Sequence, residues 1–212
     1  MTRIGVIGGT GYTGSNIVHE AASRGHTVVS VARRPSDHRA PGAIYLEGSI
    51  LDAPDLVESI EGVEVVVFAV APRGDMAGNV RSAIAEIVRE LPGHVRIGVI
   101  GGTGGSLVEP GGPRVVDVDF PEAYKAESLE LIGVLDDLEA SPTSCDWFYV
   151  HPAAGYGGMA PGERTGSYRV GGDVMLVQED GESFISGADL AMAIVDEIES
   201  PRHRRERFTL GY

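Results

Sequence analysis

The eight residues IGVIGGTG occur twice, at positions 4–11 and again at 97–104. A β-branched apolar run that dissolves into glycines reads as a buried strand entering a tight turn, and the residues that follow decide what the turn serves. After the first copy, YTGSNIVHEAASR places Ile17, Val18 and Ala21 at helical spacing, so strand, Gly8-Gly9-Thr10-Gly11-Tyr12-Thr13-Gly14 and helix are continuous. After the second copy come Gly105-Ser106-Leu107 and VEPGGPRVVDVDFP, whose prolines and missing helical period argue against a helix. One copy therefore ends on a helix N-terminus. The other ends at the edge of a strand.

The same alternation runs through the first 150 residues. Apolar, β-branched runs at 3–7, 27–31, 43–46, 64–70, 95–100 and 147–150 read as strands, separated by helical patterns at 14–24, 54–60, 76–91 and 122–139. Strands without polar alternation are buried on both faces, and β-α alternation with short loops predicts an α/β fold, a Rossmann-type doubly wound parallel sheet. One domain is expected over 1–212, with a cofactor-binding core at 1–150 and a smaller substrate-side appendage at 151–212. In that appendage, 167–170 and 174–177 around Gly171-Gly172-Asp173 read as a strand pair. Ser186-Gly-Ala-Asp189 reads as a capping box before a helix bearing Leu190, Ile194 and Ile198.

Seventeen Lys and Arg against thirty-one Asp and Glu give a net charge of -14, which repels a nucleic-acid backbone over most of the surface. The acidic residues are scattered, as on a solvated surface. Cys145 is the only cysteine, so no intrachain disulfide forms, and it sits in an apolar stretch as a structural thiol. No window reaches the length of a membrane span, no signal sequence opens the chain, and no His/Cys spacing suits a metal. A cytoplasmic protein with a small-molecule substrate and no metal, nucleic-acid or membrane partner is expected; a homodimer stays open.

The first glycine loop has the parts a dinucleotide site needs. Gly8 would turn the chain, Gly11 would let a pyrophosphate approach the backbone, and Gly14 would let helix and strand pack closely, with the phosphates on the free helix N–H groups. The second strand leads to Arg33-Arg34, where an acid would select NAD(H). Guanidinium forks there suit a 2′-phosphate, favouring NADP(H), against the alternative of two solvent-exposed arginines. Gly101–Ser106 would then face the nicotinamide or substrate, unless its glycines answer only to close packing at a strand end.

GGTGYTG, EGSILD, GGTGGSL, DFPEAYK, PGERTGSYRVGGD and the ending RFTLGY together resemble atypical short-chain dehydrogenases/reductases, the NAD(P)H-binding proteins described as NADH-flavin reductases or as NAD-dependent epimerase/dehydratase-like. The resemblance covers essentially the whole chain. It implies that Gly8, Thr10, Gly11, Tyr12, Thr13 and Gly14 cradle the cofactor, that Arg33 meets its 2′-phosphate, and that Ser49 and Ile50 flank adenine. Relatives often carry Gly-Asp-Val in that turn; this chain has Gly48-Ser49-Ile50, so a carboxylate is missing. Ala69, Val70 and Ala71 would line the nicotinamide ribose, and His151, Pro152 and Ala153 would bound the nicotinamide pocket.

Standard short-chain dehydrogenases carry YxxxK, which sets tyrosine and lysine on one helix face. None of the seven tyrosines here has lysine four residues later, and the only lysine, Lys125, directly follows Tyr124. Helical neighbours point about 100° apart, so PEAYK does not imitate that pair. Hydride transfer to a flavin or quinone asks less of the protein, because the cofactor carries the chemistry and solvent can supply the proton. Ser106, Tyr124, Lys125 and His151 are the candidate catalytic side chains, each with a packing or solvent-facing alternative. An NADPH-preferring reductase is the leading reading. A non-enzymatic NADP(H)-sensing regulator is the alternative, and a nucleotide-sugar epimerase or dehydratase is the third.

Overall fold

In the computed structural model, which describes residues 1–34, 36, 38–118 and 120–212, the unbroken apolar runs are strands lying inside a sheet. The HTVVSVARRP and DFPEAYK motifs run outside the described residues at Pro35 and Asp119. In chain order the core elements are β1 (Arg3–Ile7), α1 (Tyr12–Ser23), β2 (Thr27–Ala32), β3 (Ile44–Glu47), α2 (Ala53–Ser59), β4 (Val65–Phe68), α3 (Val80–Glu90), β5 (Arg96–Ile100), α4 (Glu122–Glu139) and β6 (Trp147–Pro152). After them come β7 (Arg169–Gly171), α5 (Gly187–Glu199) and β8 (Glu206–Gly211).

The strands form one sheet in the order β3-β2-β1-β4-β5-β6-β8-β7, parallel except at the β7–β8 edge. Side chains alternate between two apolar layers, as a pleated strand requires. Ile4 and Val6 of β1, Val65 and Val67 of β4, and Phe148 and Val150 of β6 meet α1 and α5 on one face. Ile7, Val66, Phe68, Trp147 and Tyr149 meet α2, α3 and α4 on the other. The chain winds outward in both directions from β1, so a crevice opens at the carboxyl ends of β1 and β4.

Three expectations change. The helix expected over 76–91 begins only at Val80, because Gly78 adopts φ +79 and a short 3-10 turn takes Gly74–Met76. The strand pair expected around Gly171–Asp173 does not form. Arg169–Gly171 instead pairs antiparallel with β8, while Val174 makes a single bridge to Leu107. The C-terminal residues are also more than an appendage, since β8 lies parallel to β6 inside the sheet. Among the described residues, no helix is long and apolar enough to cross a membrane.

The capping box at Ser186 is present. Its hydroxyl accepts from the Asp189 N–H at 3.1 Å and donates to the Asp189 carboxylate at 3.0 Å. Asp189 is fully buried, and its carboxylate also accepts from the backbone N–H of Thr165 (2.8 Å) and Gly166 (2.9 Å), the Thr165 hydroxyl (2.9 Å) and the Tyr212 hydroxyl. One carboxylate thus fastens the GERTG segment, α5 and the chain end together. Burial opposes its charge, but the hydrogen bonds from Tyr212, Thr165 and Gly166 outweigh burial and hold the carboxyl below its ordinary value. Its contribution to stability is therefore present above about pH 4 and is lost as pH falls through the lowered value. Asp189→Ala should cost about 2–4 kcal/mol in urea unfolding at neutral pH, because five donors, the buried Ser186 hydroxyl among them, lose one shared acceptor. A loss below about 0.5 kcal/mol, the size of an ordinary surface substitution, would show that the segment is held by other contacts.

Candidate functional site

The glycine loop sits at the crevice, and its glycines occupy three different surroundings. Gly8 has φ +84, and a Cβ there would lie 2.5 Å from the Ala69 carbonyl oxygen of the neighbouring strand end. Its N–H donates to the Val31 carbonyl at 2.8 Å, so Gly8 is wedged between β2 and β4. A Cβ on Gly14 would lie 2.2 Å from the Gly8 oxygen, which brings α1 directly onto the end of β1. At Gly11 a Cβ would meet only that same oxygen, at 3.3 Å, and the residue is exposed. Gly11 is the N-cap of α1, and no side chain caps this helix. The first N–H groups of α1 thus face an open, Cβ-free approach, which suits a diphosphate.

The side chains of Tyr12 and Thr13, the fifth and sixth residues of the loop, look elsewhere. The Tyr12 hydroxyl donates to the Pro161 carbonyl and accepts from the Gly187 N–H, both at 2.9 Å, and the Thr13 hydroxyl lies 2.7 Å from the Tyr156 hydroxyl. Their backbone borders the approach while their side chains latch segment 156–161 onto the loop. Further along, Arg164 reaches the buried Glu20 of α1 at 2.5 Å. The PGERTGSYRVGGD motif therefore straps α1 and α5, and the segment before it meets the glycine loop at Tyr156.

Arg33 and Arg34 are exposed at the end of β2. Across the crevice, Asp75 accepts a hydrogen bond from Arg33. Ser49 accepts from the Leu51 N–H at 3.2 Å, and Ile50 is buried in the core with Ala53 and Leu56, so the turn after β3 is apolar behind and weakly polar in front. Ala69 and Val70 are half-buried beside Gly8, and Ala71 is exposed.

At the second copy, packing explains the glycines. A Cβ would lie 2.4 Å from the Phe148 ring at Gly98, 2.2 Å from the Tyr149 hydroxyl at Gly101, 2.0 Å from the Ser128 Oγ at Gly104 and 2.5 Å from His151 Cε1 at Gly105. Only Gly102 has open space. His151 is fully buried, with Nδ1 2.8 Å from the Gly102 carbonyl, which requires Nδ1 to be the donor. As placed it holds this turn from beneath and does not line the crevice, because β6 alternation turns it toward the α4 face together with Tyr149. Its Nε2 has no partner among the described residues. Ser106 is also withdrawn, 1% exposed and donating to the Thr103 carbonyl at 2.5 Å. Pro152 and Ala153 are buried at the end of β6, with Ala153 in the α5-side core.

Tyr124 and Lys125 lie in the first turn of α4, exposed and half-buried respectively. Two groups there carried no signal in the linear sequence. Arg73, following β4, makes a two-pronged pair with Glu127, 2.9 Å at its second contact, and Glu130 receives the Gly78 and Val80 N–H groups at 2.6 and 2.7 Å. The loop between β4 and α3 is thereby tied to α4. Thr103, which the second copy shares with Thr10 of the first, has a buried hydroxyl without a partner among the described residues.

Over residues 8–201 the chain matches the family described as NAD(P)H-binding. It is 34% identical over 213 residues to YwnB, an uncharacterized protein of Bacillus subtilis (strain 168), covering 98% of this chain and 97% of that one. A solved structure of a proposed NADH-flavin reductase from Streptococcus pneumoniae TIGR4 superposes with TM-score 0.89 at 29% identity, over 100% of this chain and 99% of that one. A proposed epimerase from Bacteroides thetaiotaomicron does so with TM-score 0.86 at 31% identity, over 100% and 97%.

Burial pulls the His151 imidazole down to about 4, only partly offset by its hydrogen bond to Gly102, so it is neutral at physiological pH. The unfolded chain, with an ordinary imidazole near 6.5, binds more protons between the two values, so stability is complete above about pH 6.5 and falls toward pH 4, by up to about 3 kcal/mol. His151→Asn should flatten this limb in urea titrations at a series of pH values. An unchanged slope would mean that His151 is charged in, or accessible from, the folded protein.

Proposed function

Because this chain belongs to the NAD(P)H-binding family, we propose that it is a reductase that binds NADPH in preference to NADH and passes hydride to a small planar acceptor such as a flavin or quinone. The observation that carries this reading is the uncapped N-terminus of α1 behind the open Gly11, with Arg33 and Arg34 at the neighbouring strand end. The N–H groups of Tyr12, Thr13 and Gly14 would hold the diphosphate, and the two guanidinium groups the 2′-phosphate. The bound nicotinamide supplies the hydride.

The chain's own contribution is placement. Val70 and Ala71 offer an apolar wall on one side of the crevice, and Gly102 leaves open space on the other. Ser106 and His151 are occupied beneath the Gly102–Ser106 turn, so no serine–tyrosine–lysine trio faces the crevice. Tyr124 and Lys125 remain as the groups able to orient an acceptor or pass it a proton. An acceptor ring that takes its proton from water suits this arrangement better than a carbonyl that needs a tuned acid.

The withdrawal of Ser106 and His151 also favours the second reading, an NADP(H)-sensing regulator without turnover. Loss of reduced-nicotinamide absorbance across FMN, riboflavin, quinones and small carbonyls separates the two: saturable oxidation with a planar acceptor is expected of the reductase, and tight binding without oxidation of the sensor. Arg33→Asp should weaken NADPH binding by about tenfold to a hundredfold, the range of a lost charge-assisted contact, with NADH much less affected. Equal losses for both cofactors would remove the 2′-phosphate assignment.

A further inference from the structure

Asp75 stands on the Gly74–Met76 turn beyond β4, and its carboxylate pairs with the Arg33 guanidinium. Arg34 lies close enough to add its field to that of Arg33. Arg33 and Asp75 are 50% and 73% exposed, so the pair contributes little to the fold. A guanidinium that already holds an oxyanion, with a second cation beside it in sequence, is nevertheless a place where a phosphate monoester can be held. The turn carrying the carboxylate is fastened on both sides, by Arg73 to Glu127 and by the Gly78 N–H to Glu130, while the Met76 side chain is buried.

We propose that Asp75 is a specificity-determining residue that competes, within the chain, for the arginine site of the 2′-phosphate and so narrows the preference for NADPH over NADH. The proposal rests on the reading of Arg33 as a phosphate ligand. A 2′-phosphate entering this site takes Arg33 from Asp75 and leaves a carboxylate beside a dianion. A cofactor without that phosphate leaves the pair undisturbed. Asp75 therefore opposes one cofactor and is indifferent to the other, and the opposition weakens as salt screens these exposed charges.

Adenosine 2′,5′-bisphosphate and adenosine 5′-monophosphate test this without any redox step. Dissociation constants measured by calorimetry at low and at raised salt are compared for the unsubstituted protein, Asp75→Asn, Asp75→Ser, Arg33→Ala and the Arg33→Ala/Asp75→Asn double variant. Removing the carboxylate should tighten the bisphosphate about three- to fivefold at low salt, the scale of an exposed charge pair. It should leave the monophosphate unchanged, and the gain should shrink at raised salt and be smaller when Arg33 is absent, where only the direct repulsion between carboxylate and phosphate is relieved. If Arg33→Ala weakens the bisphosphate but both Asp75 variants leave it unchanged or weaker, Asp75 only orients Arg33 and the proposal is overturned, with the cofactor reading intact. If Arg33→Ala has no effect on the bisphosphate, the phosphate assignment fails and the proposal fails with it. Because Asp75 is exposed, equal thermal midpoints are expected for all variants.

Discussion

The contact on which the molecule turns has no side chain in it. Gly14 of α1 rests against the backbone of Gly8 at the end of β1, and a single methyl group there would lie 2.2 Å from the Gly8 oxygen. That contact draws the helix N-terminus up to the carboxyl edge of the sheet, at the point where the strand order reverses. With no capping side chain on the helix, its free N–H groups and partial positive charge face the crevice. Arg33 on one side and the Ala69–Ala71 strand end on the other derive their meaning from that placement.

Around this joint, an acidic chain is organised by its arginines. Arg24 and Arg164 converge on the buried Glu20, Arg96 on the buried Glu197, and Arg205 on the carbonyls of Ser141, Pro142 and Cys145. A planar guanidinium can satisfy several acceptors at once, which lysine's point charge does less well, and the arginines at these clusters use that capacity. These clusters lie on α1, at the far end of the sheet from the crevice, and at the end of α4. The C-terminal third is bound to the scaffold by β8 within the sheet and by Asp189, Tyr12 and Glu20, and it meets the loops at the crevice through the Tyr156 hydroxyl on Thr13 and the pairing of Asp173–Met175 with Leu107.

Most of the first six strands were legible because they are buried on both faces, the edge strand β3 through its short apolar run alone, and the first four helices through their apolar spacing; the bounds expected for α4 coincide with those observed. β8 was not legible. Its first residues, Glu206 and Arg207, are not in the core, and its place between β6 and β7 depends on a partner distant in sequence. The twin octapeptides show a deeper limit. A glycine that leaves a helix N-terminus open and one that admits a Tyr149 or His151 ring are the same letter, and only the helix after the first copy separates them. The burial of His151 was equally hidden, since a strand end is the place where a polar residue can belong either to the site or to the layer beneath it.

The echo then has a physical account. Both copies end central, adjacent-but-one strands of a parallel sheet, β1 and β5 with β4 between them, and both must leave the sheet without steric conflict. At the first, the freed space is taken by the helix start itself. At the second, it is taken from below by Phe148, Tyr149, Ser128 and His151, leaving Gly102 as the position with open space above. The two turns thus bound the crevice differently, one by hydrogen-bond donors and the other by an almost featureless backbone surface. Donors without matching acid–base groups favour holding a charged cofactor firmly and presenting its ring to a partner that brings its own electron-accepting chemistry. On the proposed reading, that asymmetry, and not a catalytic triad, is what the second IGVIGGTG leaves space for.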